Sequence, residues 1–370
     1  MSEQHVRVGL IGVGGICGYV HYPGLELIPG VEIAGLCDPN ADLLAQRQRE
    51  WEVDHLYQDS EAFLREVRPA AVVIATPNVE HKKLILQALA AGCHVICEKP
   101  LGMDLAETVE IYQAAKAAGV RHMTAFTYRF SPAMRYLRHL VQSGELGEIR
   151  HARFQRLQDW GDTAIGWRQY KAQAGSGELG DMGIHRIDFA MDLLGPITAV
   201  CSATRQWLPR DHTVDGRIVP PQDVEEWVGW IADFASGATG VFEMGKLTKG
   251  HGPKGDHDLA EINGSKASAV YQLHNPNQVL FAKAGRNEPY VARPVPAEFL
   301  KAPGSPRNPH EGDPVQVFRF DQAWEFISAI REGRDARPSF YHGMCAQAVA
   351  DTILQADVER RWIDIAYPPA

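Results

Sequence analysis

A glycine cluster placed between two apolar runs limits this chain most. Val6–Ile11 reads as a strand, Gly12-Val13-Gly14-Gly15-Ile16-Cys17 follows it directly, and the next run, Val31–Cys37, ends on Asp38. Strand, glycine turn, helix, strand and terminal acid are the parts of a mononucleotide-binding unit. Gly12 permits the tight turn. Gly14 lets the backbone approach a pyrophosphate, and the helix that follows offers unpaired N–H groups to it. Asp38 is placed to accept from both ribose hydroxyls, and its charge would repel a 2′-phosphate. The next basic residue is Arg47, so the pattern favours NAD over NADP. Cys17 stands where such turns usually carry Gly or Ala, and glycine clusters also occur in ordinary turns.

The apolar runs Ala71–Ala75, His94–Cys97 and His122–Phe126 continue the series. Helical patterns over Ala41–Trp51, Glu80–Ala91 and Leu105–Ala118 separate them, the last with Asp104 and Glu107 at capping-box spacing. Strands separated by helices predict a doubly wound parallel sheet with its ligand at the carboxyl ends of the strands. Residues 1–126 are therefore expected to form a Rossmann dinucleotide-binding domain. Residues 127–370 are expected to form an α/β domain with a large, open, mostly antiparallel sheet. In that part Ser131-Pro132 starts a helix to Ser143, Ile149–Leu157 is a strand, and Leu179–Leu194 is a helix stopped by Gly195-Pro196. Further strands are predicted at Ala199–Trp207, Val224–Phe234, Gly240–Met244, Ala269–Leu273 and Gln278–Ala282. Residues 284–315 carry seven prolines and read as a long loop. Two amphipathic helices close the chain, Asp321–Arg331 and Tyr341–Arg360, the latter expected to pack back on the first domain.

Composition narrows the function classes. The net charge is −9, from 37 basic and 46 acidic residues, and no basic stripe suits nucleic acid. No apolar run is long enough to span a bilayer. The start, Met1 to His5, lacks the basic and apolar regions of a cleaved signal. The six cysteines form no CxxC pair and suit a reducing cytoplasm, and fifteen histidines without ligand spacing predict no metal.

Two clusters carry chemistry. Glu98-Lys99-Pro100 follows the fourth strand at the ligand edge, where Lys99 can hold a substrate hydroxyl and favour its alkoxide. A solvated turn is the competing reading. In Gly175-Ser176-Gly177-Glu178-Leu179-Gly180-Asp181-Met182-Gly183-Ile184-His185, a helix would set Asp181 and His185 on one face, with Asp188 a turn further on. Ile184, Ile187, Met191 and Leu194 would form a separate apolar stripe. Asp181 can then orient the imidazole and His185 accept a hydroxyl proton. A surface salt link uses the same residues. Thr76-Pro77-Asn78, after the third strand, suits either the nicotinamide half of the site or a plain turn. Trp160 and Trp167 suit either core packing or the apolar face of a ligand.

Together these segments resemble the glucose–fructose oxidoreductase / inositol dehydrogenase / rhizopine-catabolism (Gfo/Idh/MocA) family. The resemblance rests on GVGGIC with Asp38, ATPNVEH, EKPLGMD, YRFSPAMR, GWRQYKAQAGSGELGDMGIHRIDF and EINGSKAS in that order. It implies Lys99, Asp181 and His185 as the catalytic set. It implies Gly12, Gly14, Gly15, Ile16, Asp38, Thr76, Asn78, His81, Glu98, Lys99, Trp167 and Arg168 around NAD. Tyr128 and Gln158, with Lys99, Asp181 and His185, would meet the substrate. The expected activity is oxidation of a secondary hydroxyl of a sugar, glycoside, anhydrosugar or cyclitol. Three rivals are a glycosidase or lyase with transient sugar oxidation and no net redox, a non-catalytic NAD-binding protein, and a keto-sugar reductase working in the reverse direction. The resemblance also implies a homodimer or homotetramer through the C-terminal sheet. Cys17, and Ser176 within a run usually written with three glycines, depart from the family pattern.

Overall fold

The computed structural model describes residues 5–160, 165–208, 210–213, 216–252, 257–285 and 287–369. The first four residues, on which the signal reading partly rests, lie outside them. Contacts divide the chain into two compact units, Met1–Phe130 with Lys301–Met344, and Ser131–Leu300 with Cys345–Ala370. The sequence reading cut the chain once, after residue 126; the first unit also takes in residues 301–344.

The first unit is built on a six-stranded parallel sheet. Its strands are β1 (Val6–Ile11), β2 (Val31–Cys37), β3 (Leu56–Tyr57), β4 (Ala71–Ile74), β5 (His94–Cys97) and β6 (His122–Thr124), in the order β3-β2-β1-β4-β5-β6. The chain leaves β1 toward β2 on one side and returns to β4 on the other. The crevice of such a sheet opens where the order reverses, past the carboxyl end of β1. Helix starts follow local capping. Asn40, Asp59 and Asp104 accept from Leu43, Ala62 and Glu107 N–H groups respectively. Glu107 returns its carboxylate to Met103 N at 2.9 Å, one residue earlier than an ideal capping box.

The sequence reading missed β3 and the helix Ser60–Val67, which are two and eight residues long. The end of the proline-rich segment is tied down. Asp321, fully buried, accepts from Arg307 at 2.8 and 3.1 Å, from Ser305 Oγ at 2.7 Å and from Ala302 N at 2.9 Å.

The second unit carries a nine-stranded sheet of β7 (Ile149–Leu157), β8 (Ile197–Arg205), β9 (Trp227–Phe234), β10 (Thr239–Gly245), β11 (His257–Gly264), β12 (Ala267–Gln272), β13 (Gln278–Lys283), β14 (Val291–Pro294) and β15 (Ile363–Asp364). Its order is β14-β13-β12-β11-β7-β10-β9-β8-β15, antiparallel except for the central β7–β10 pair. The expected fold class is thus the observed one. β14 lies inside the proline-rich segment predicted as loop; an edge strand tolerates Pro294 because it need not donate on its free side. Helices Pro132–Gln142 and Ile184–Leu194 pack on one face of the sheet. Ser131 precedes the first of them as expected, but its hydroxyl is buried and makes no capping bond.

The inner face of this sheet changes character along its strands. Phe154 of β7 stands beside Phe242 of β10 and Ala260 of β11, and Phe242 stacks on Trp230 at 4.5 Å. One inward position further, Arg156 lies opposite Asp258. Arg156 Nη1 donates to Asp258 Oδ2 at 2.6 Å, and Arg186, from the overlying helix, pairs with the same oxygen. All three are buried. Burial raises the Asp258 carboxyl, but the two guanidiniums outweigh it and hold it below its usual range. An inward charge in an otherwise alternating strand also explains why β11 was not predicted. Removing one member of such a group strands the others without a counter-charge. Asp258→Ala is therefore expected to lower stability in urea unfolding by about 3–5 kcal/mol; a loss under about 1 kcal/mol, the range of an exposed pair, would show that the cluster is hydrated.

Candidate active site

In the first unit the site grows from the end of β1. Gly12 adopts φ +83°, and a Cβ there would lie 2.6 Å from the Ala75 carbonyl oxygen, so only glycine fits both conformation and space. Its N–H donates to Cys37 O at 2.8 Å, and Ala75 N–H donates to Ile11 O at 2.8 Å, which joins the ends of β2, β1 and β4. Asp38 is held at the mouth of this turn. Its Oδ2 accepts from Val13 N and its Oδ1 from Asn40 N, both at 3.0 Å.

Space and unmet polarity at this turn both suit a dinucleotide. Among the described residues, no atom would come within 4 Å of a Cβ on Gly14 or Gly15. Thr76 Oγ1, past the end of β4, is buried without a hydrogen-bond partner among the described residues. An open glycine shelf, a fixed carboxylate and an unmet hydroxyl suit a pyrophosphate and ribose.

After the shelf the chain makes a π-helical turn over Cys17–His21 before the short helix Tyr22–Glu26. Ile16 caps this turn and stays partly exposed. Cys17 is fully buried, and burial pushes its thiol up to about 12, so it acts as a small hydrophobe. Arg47 donates from Nε to Val13 O at 3.0 Å and lies 4.9 Å from the Trp51 ring.

The turn also brings in His21, which sequence reasoning missed. His21 Nε2 lies 2.8 Å from Glu98 Oε1, both groups being buried. Burial pushes the Glu98 carboxyl up, but the His21 hydrogen bond and charge, with Lys99, bring it below its usual range. Glu98 thus enters Lys99's loop as a fixed anion, and its Oε2 accepts from Lys99 N at 3.3 Å. Lys99 is half-buried, and the Lys99–Pro100 bond is cis. His81 has no exposed surface. Its Nδ1 lies 2.8 Å from Pro100 O and its Nε2 3.1 Å from Thr76 O, and burial lowers its pKa. The ring braces the loops after β4 and β5 against each other. Asn78, buried, opens the turn Asn78–Glu80 between Thr76 and His81. Tyr128 is buried, with the Arg319 guanidinium 4.8 Å from its ring centre.

In the second unit the turn Gly175–Gly177 leads to the expected helix. A Cβ on Gly177 would lie 2.0 Å from Glu225 O. This close approach lets Glu225 Oε1 accept from Gly177 N at 2.8 Å and Leu179 N at 2.9 Å. The continuous α-helix predicted from Leu179 is corrected here: Leu179–Gly183 is a π-turn, and the α-helix begins at Ile184. Nor is the side bearing His185 and Asp188 a solvent face. His185, Arg186 and Asp188 are as buried as Ile184 and Ile187, which removes the surface salt link as an explanation.

Asp181 stays partly exposed, with Arg168 Nε 3.8 Å from its Oδ1. Arg168 also lies over Trp167 at 4.4 Å. Gln158 and Lys246 extend the sheet's polar row. Gln158 N donates to Gly245 O at 2.7 Å, and its side-chain Oε1 is buried without a partner among the described residues. Lys246, also buried, lies 5.7 Å from the Trp160 ring. Residues 161–164, between Trp160 and Trp167, lie outside the described residues. Lys246 and Glu225 lie in no motif that sequence reasoning used, and Glu178 lies within one but was given no role.

Replacing Asp38 by Ala removes an ionised acceptor, worth about 1.5–3 kcal/mol for a charged hydrogen bond. Calorimetry is expected to show NAD affinity falling by about 10- to 100-fold, with the margin over NADP shrinking in step. Unchanged affinity would take Asp38 out of cofactor binding.

Comparison with known proteins agrees with this geometry. Residues 6–126 match the oxidoreductase family model with an NAD-binding Rossmann fold, and residues 134–270 match the GFO/IDH/MocA C-terminal domain. The chain is 31% identical to the levoglucosan dehydrogenase of Pseudarthrobacter phenanthrenivorans over 98% of both chains. It is 27% identical to the glucose-6-phosphate 3-dehydrogenase of Bacillus subtilis, over 95% of this chain and 96% of that one. A levoglucosan dehydrogenase structure in complex with NADH and levoglucosan superposes with a TM-score of 0.89 at 28% identity, covering 98% of this chain and all of that one. The chain belongs to the Gfo/Idh/MocA family of NAD-dependent oxidoreductases.

Proposed function

We propose that this protein oxidises a secondary hydroxyl of a sugar, glycoside, anhydrosugar or cyclitol to a ketone, with NAD as the acceptor. The observation that carries the reading is the burial of His185 beside the Asp181 turn, on a helix anchored to the ionic end of the sheet through Arg186 and Asp258. Likeness to a levoglucosan dehydrogenase over nearly the whole chain supports the substrate class.

Each residue then has a task. The Gly12–Gly15 shelf, Ile16, Asp38, Thr76 and Asn78 hold the dinucleotide, with Trp167 and Arg168 assigned to its redox end. Bound NAD supplies the hydride acceptor. Lys99 binds the reacting hydroxyl and favours its alkoxide, while Glu98 and His81 fix the loop that carries it. His185 accepts the hydroxyl proton, and Asp181 stabilises the imidazolium so formed. Gln158, with its unmet Oε1, and Tyr128 are assigned to neighbouring hydroxyls. A cytoplasmic setting is part of the proposal and accords with six free thiols.

Lys99→Ala is expected to lower kcat by about 10²- to 10⁴-fold, the usual range for a group acting in proton transfer, while calorimetric NAD binding is kept. Near-normal turnover would remove Lys99 from the chemistry. NADH released over a panel of sugars, glycosides, anhydrosugars and cyclitols identifies the substrate; turnover of a glycoside without NADH release would favour the non-redox route instead.

The outer face of the second sheet bears Ile231 and Val241 as direct cross-strand neighbours, 43% and 48% exposed. Self-association through this face is expected, as a dimer or tetramer. Sedimentation of Ile231→Glu/Val241→Glu should show a smaller species than the wild type; equal masses would place the interface elsewhere.

A further inference from the structure

Three residues before Asp181 lies Glu178, a carboxyl that the proposed chemistry does not use. It has no exposed surface, and neither carboxyl oxygen has a hydrogen-bond partner among the described residues. Its backbone is fixed, with N–H donating to Glu225 O at 3.1 Å. Charged groups act on it from every side: Asp181 from its own turn, Arg186 from the following helix, Arg156 from β7, and Lys246 from just beyond β10. Glu225 spends one oxygen on two backbone N–H groups, and Asp258 is taken up by the two arginines.

A buried carboxyl with no donor to satisfy its charge is more stable protonated. Burial, reinforced by the Asp181 charge and opposed by Lys246, Arg156 and Arg186, pushes Glu178 from its ordinary 4.5 up to about 8. Near neutrality Glu178 therefore keeps its proton.

We infer that Glu178, buried without a donor three residues before Asp181, is a positioning acid for the Asp181–His185 couple: it sits there neutral, and its ionisation adds a second negative charge to that of Asp181. This rests on the proposed roles of Asp181 and His185. A second anion stabilises the imidazolium. Proton transfer from the alcohol to His185 becomes easier, and return of that proton to a ketone becomes harder. Ionisation of Glu178 therefore moves the two directions of the reaction in opposite senses.

The test is the pH dependence of kcat in both directions for the wild type and Glu178→Gln, which imitates the protonated acid. In the wild type, oxidation should step up and reduction step down near pH 8. Both steps should be missing in E178Q, whose rates at pH 6.5–7 stay within about twofold of the wild type, as expected for an unchanged charge state. Lys246→Met removes an opposing positive charge and should move both steps to higher pH. Superimposable wild-type and E178Q profiles, or an E178Q enzyme slowed more than about tenfold at neutral pH, overturn the inference.

Unfolding gives an independent reading. Between pH 4.5 and about 8 the folded chain keeps a proton that the unfolded chain has lost, so this group makes stability fall as pH rises. The stability of E178Q relative to wild type should climb across that window and level off above it; a flat difference overturns the inference. If E178Q does not fold, infrared spectra of the wild type decide. A protonated-carboxyl band at pH 7 that fades on titration through about 8 supports the inference, and no such band overturns it. A protein that oxidises none of the polyols offered would defeat the proposed function while leaving the unfolding and infrared results in force.

Discussion

Two guanidiniums on one buried carboxylate, Arg156 and Arg186 on Asp258, are the constraint around which the second unit is arranged. An antiparallel sheet with helices on one face would ordinarily bury an apolar inner surface from end to end. Here the aromatic packing of Phe154, Phe242 and Trp230 gives way within one inward position to ions. Such a change is tolerable only if the charges satisfy one another. Once Arg186 is tied to Asp258, the rotation of the helix Ile184–Leu194 about its own axis is set, because a fully buried guanidinium cannot leave its partner without a large desolvation cost. The placement of His185, one residue earlier, follows from that.

The first unit solves a different problem by different means. Its site is largely backbone: the Gly12 turn, the open shelf at Gly14 and Gly15, and the N–H groups of Val13 and Asn40 that hold Asp38. Buried side chains serve as braces. His81 lies between two carbonyls and keeps the loops after β4 and β5 at a fixed spacing, and His21 reaches from the first turn to Glu98. A motif reading assigns Glu98 and His81 to the cofactor. Their observed partners give them a share in placing Lys99's loop.

Legibility from sequence followed this difference. Turns that require glycine, and an acid at the end of a strand, leave local marks, so β1, β2, the glycine shelf and Asp38 could be read directly. The two-residue strand β3 and the helix Ser60–Val67 were too short to set up a period. β11 was hidden because one of its inward positions is Asp258, which breaks the apolar alternation. The π-turn at Leu179–Gly183 has no residue signature; four-residue spacing between Asp181 and His185 suits an ideal helix equally well. His21, Glu178 and Lys246 escaped because their significance comes from what burial and long-range partners do to them, which sequence spacing does not encode.

The cofactor half of such an enzyme is for this reason easier to recognise than its substrate half. Parallel strands feeding helices present backbone donors, and backbone donors make the same demand of every chain: small residues at fixed places. The inner face of an antiparallel sheet presents side chains in rows, and any row can carry any chemistry if its charges balance. Gln158, Lys246 and Arg156 occupy such rows. Their neighbours Glu178, Glu225 and Asp258 supply three carboxyls with three distinct surroundings: one without a donor, one holding backbone N–H groups and one clamped by arginines. Three copies of one functional group thereby differ in how readily they hold a proton: burial raises Glu178 and Glu225, while two arginines hold Asp258 below its usual range, and surroundings rather than residue type set that spread.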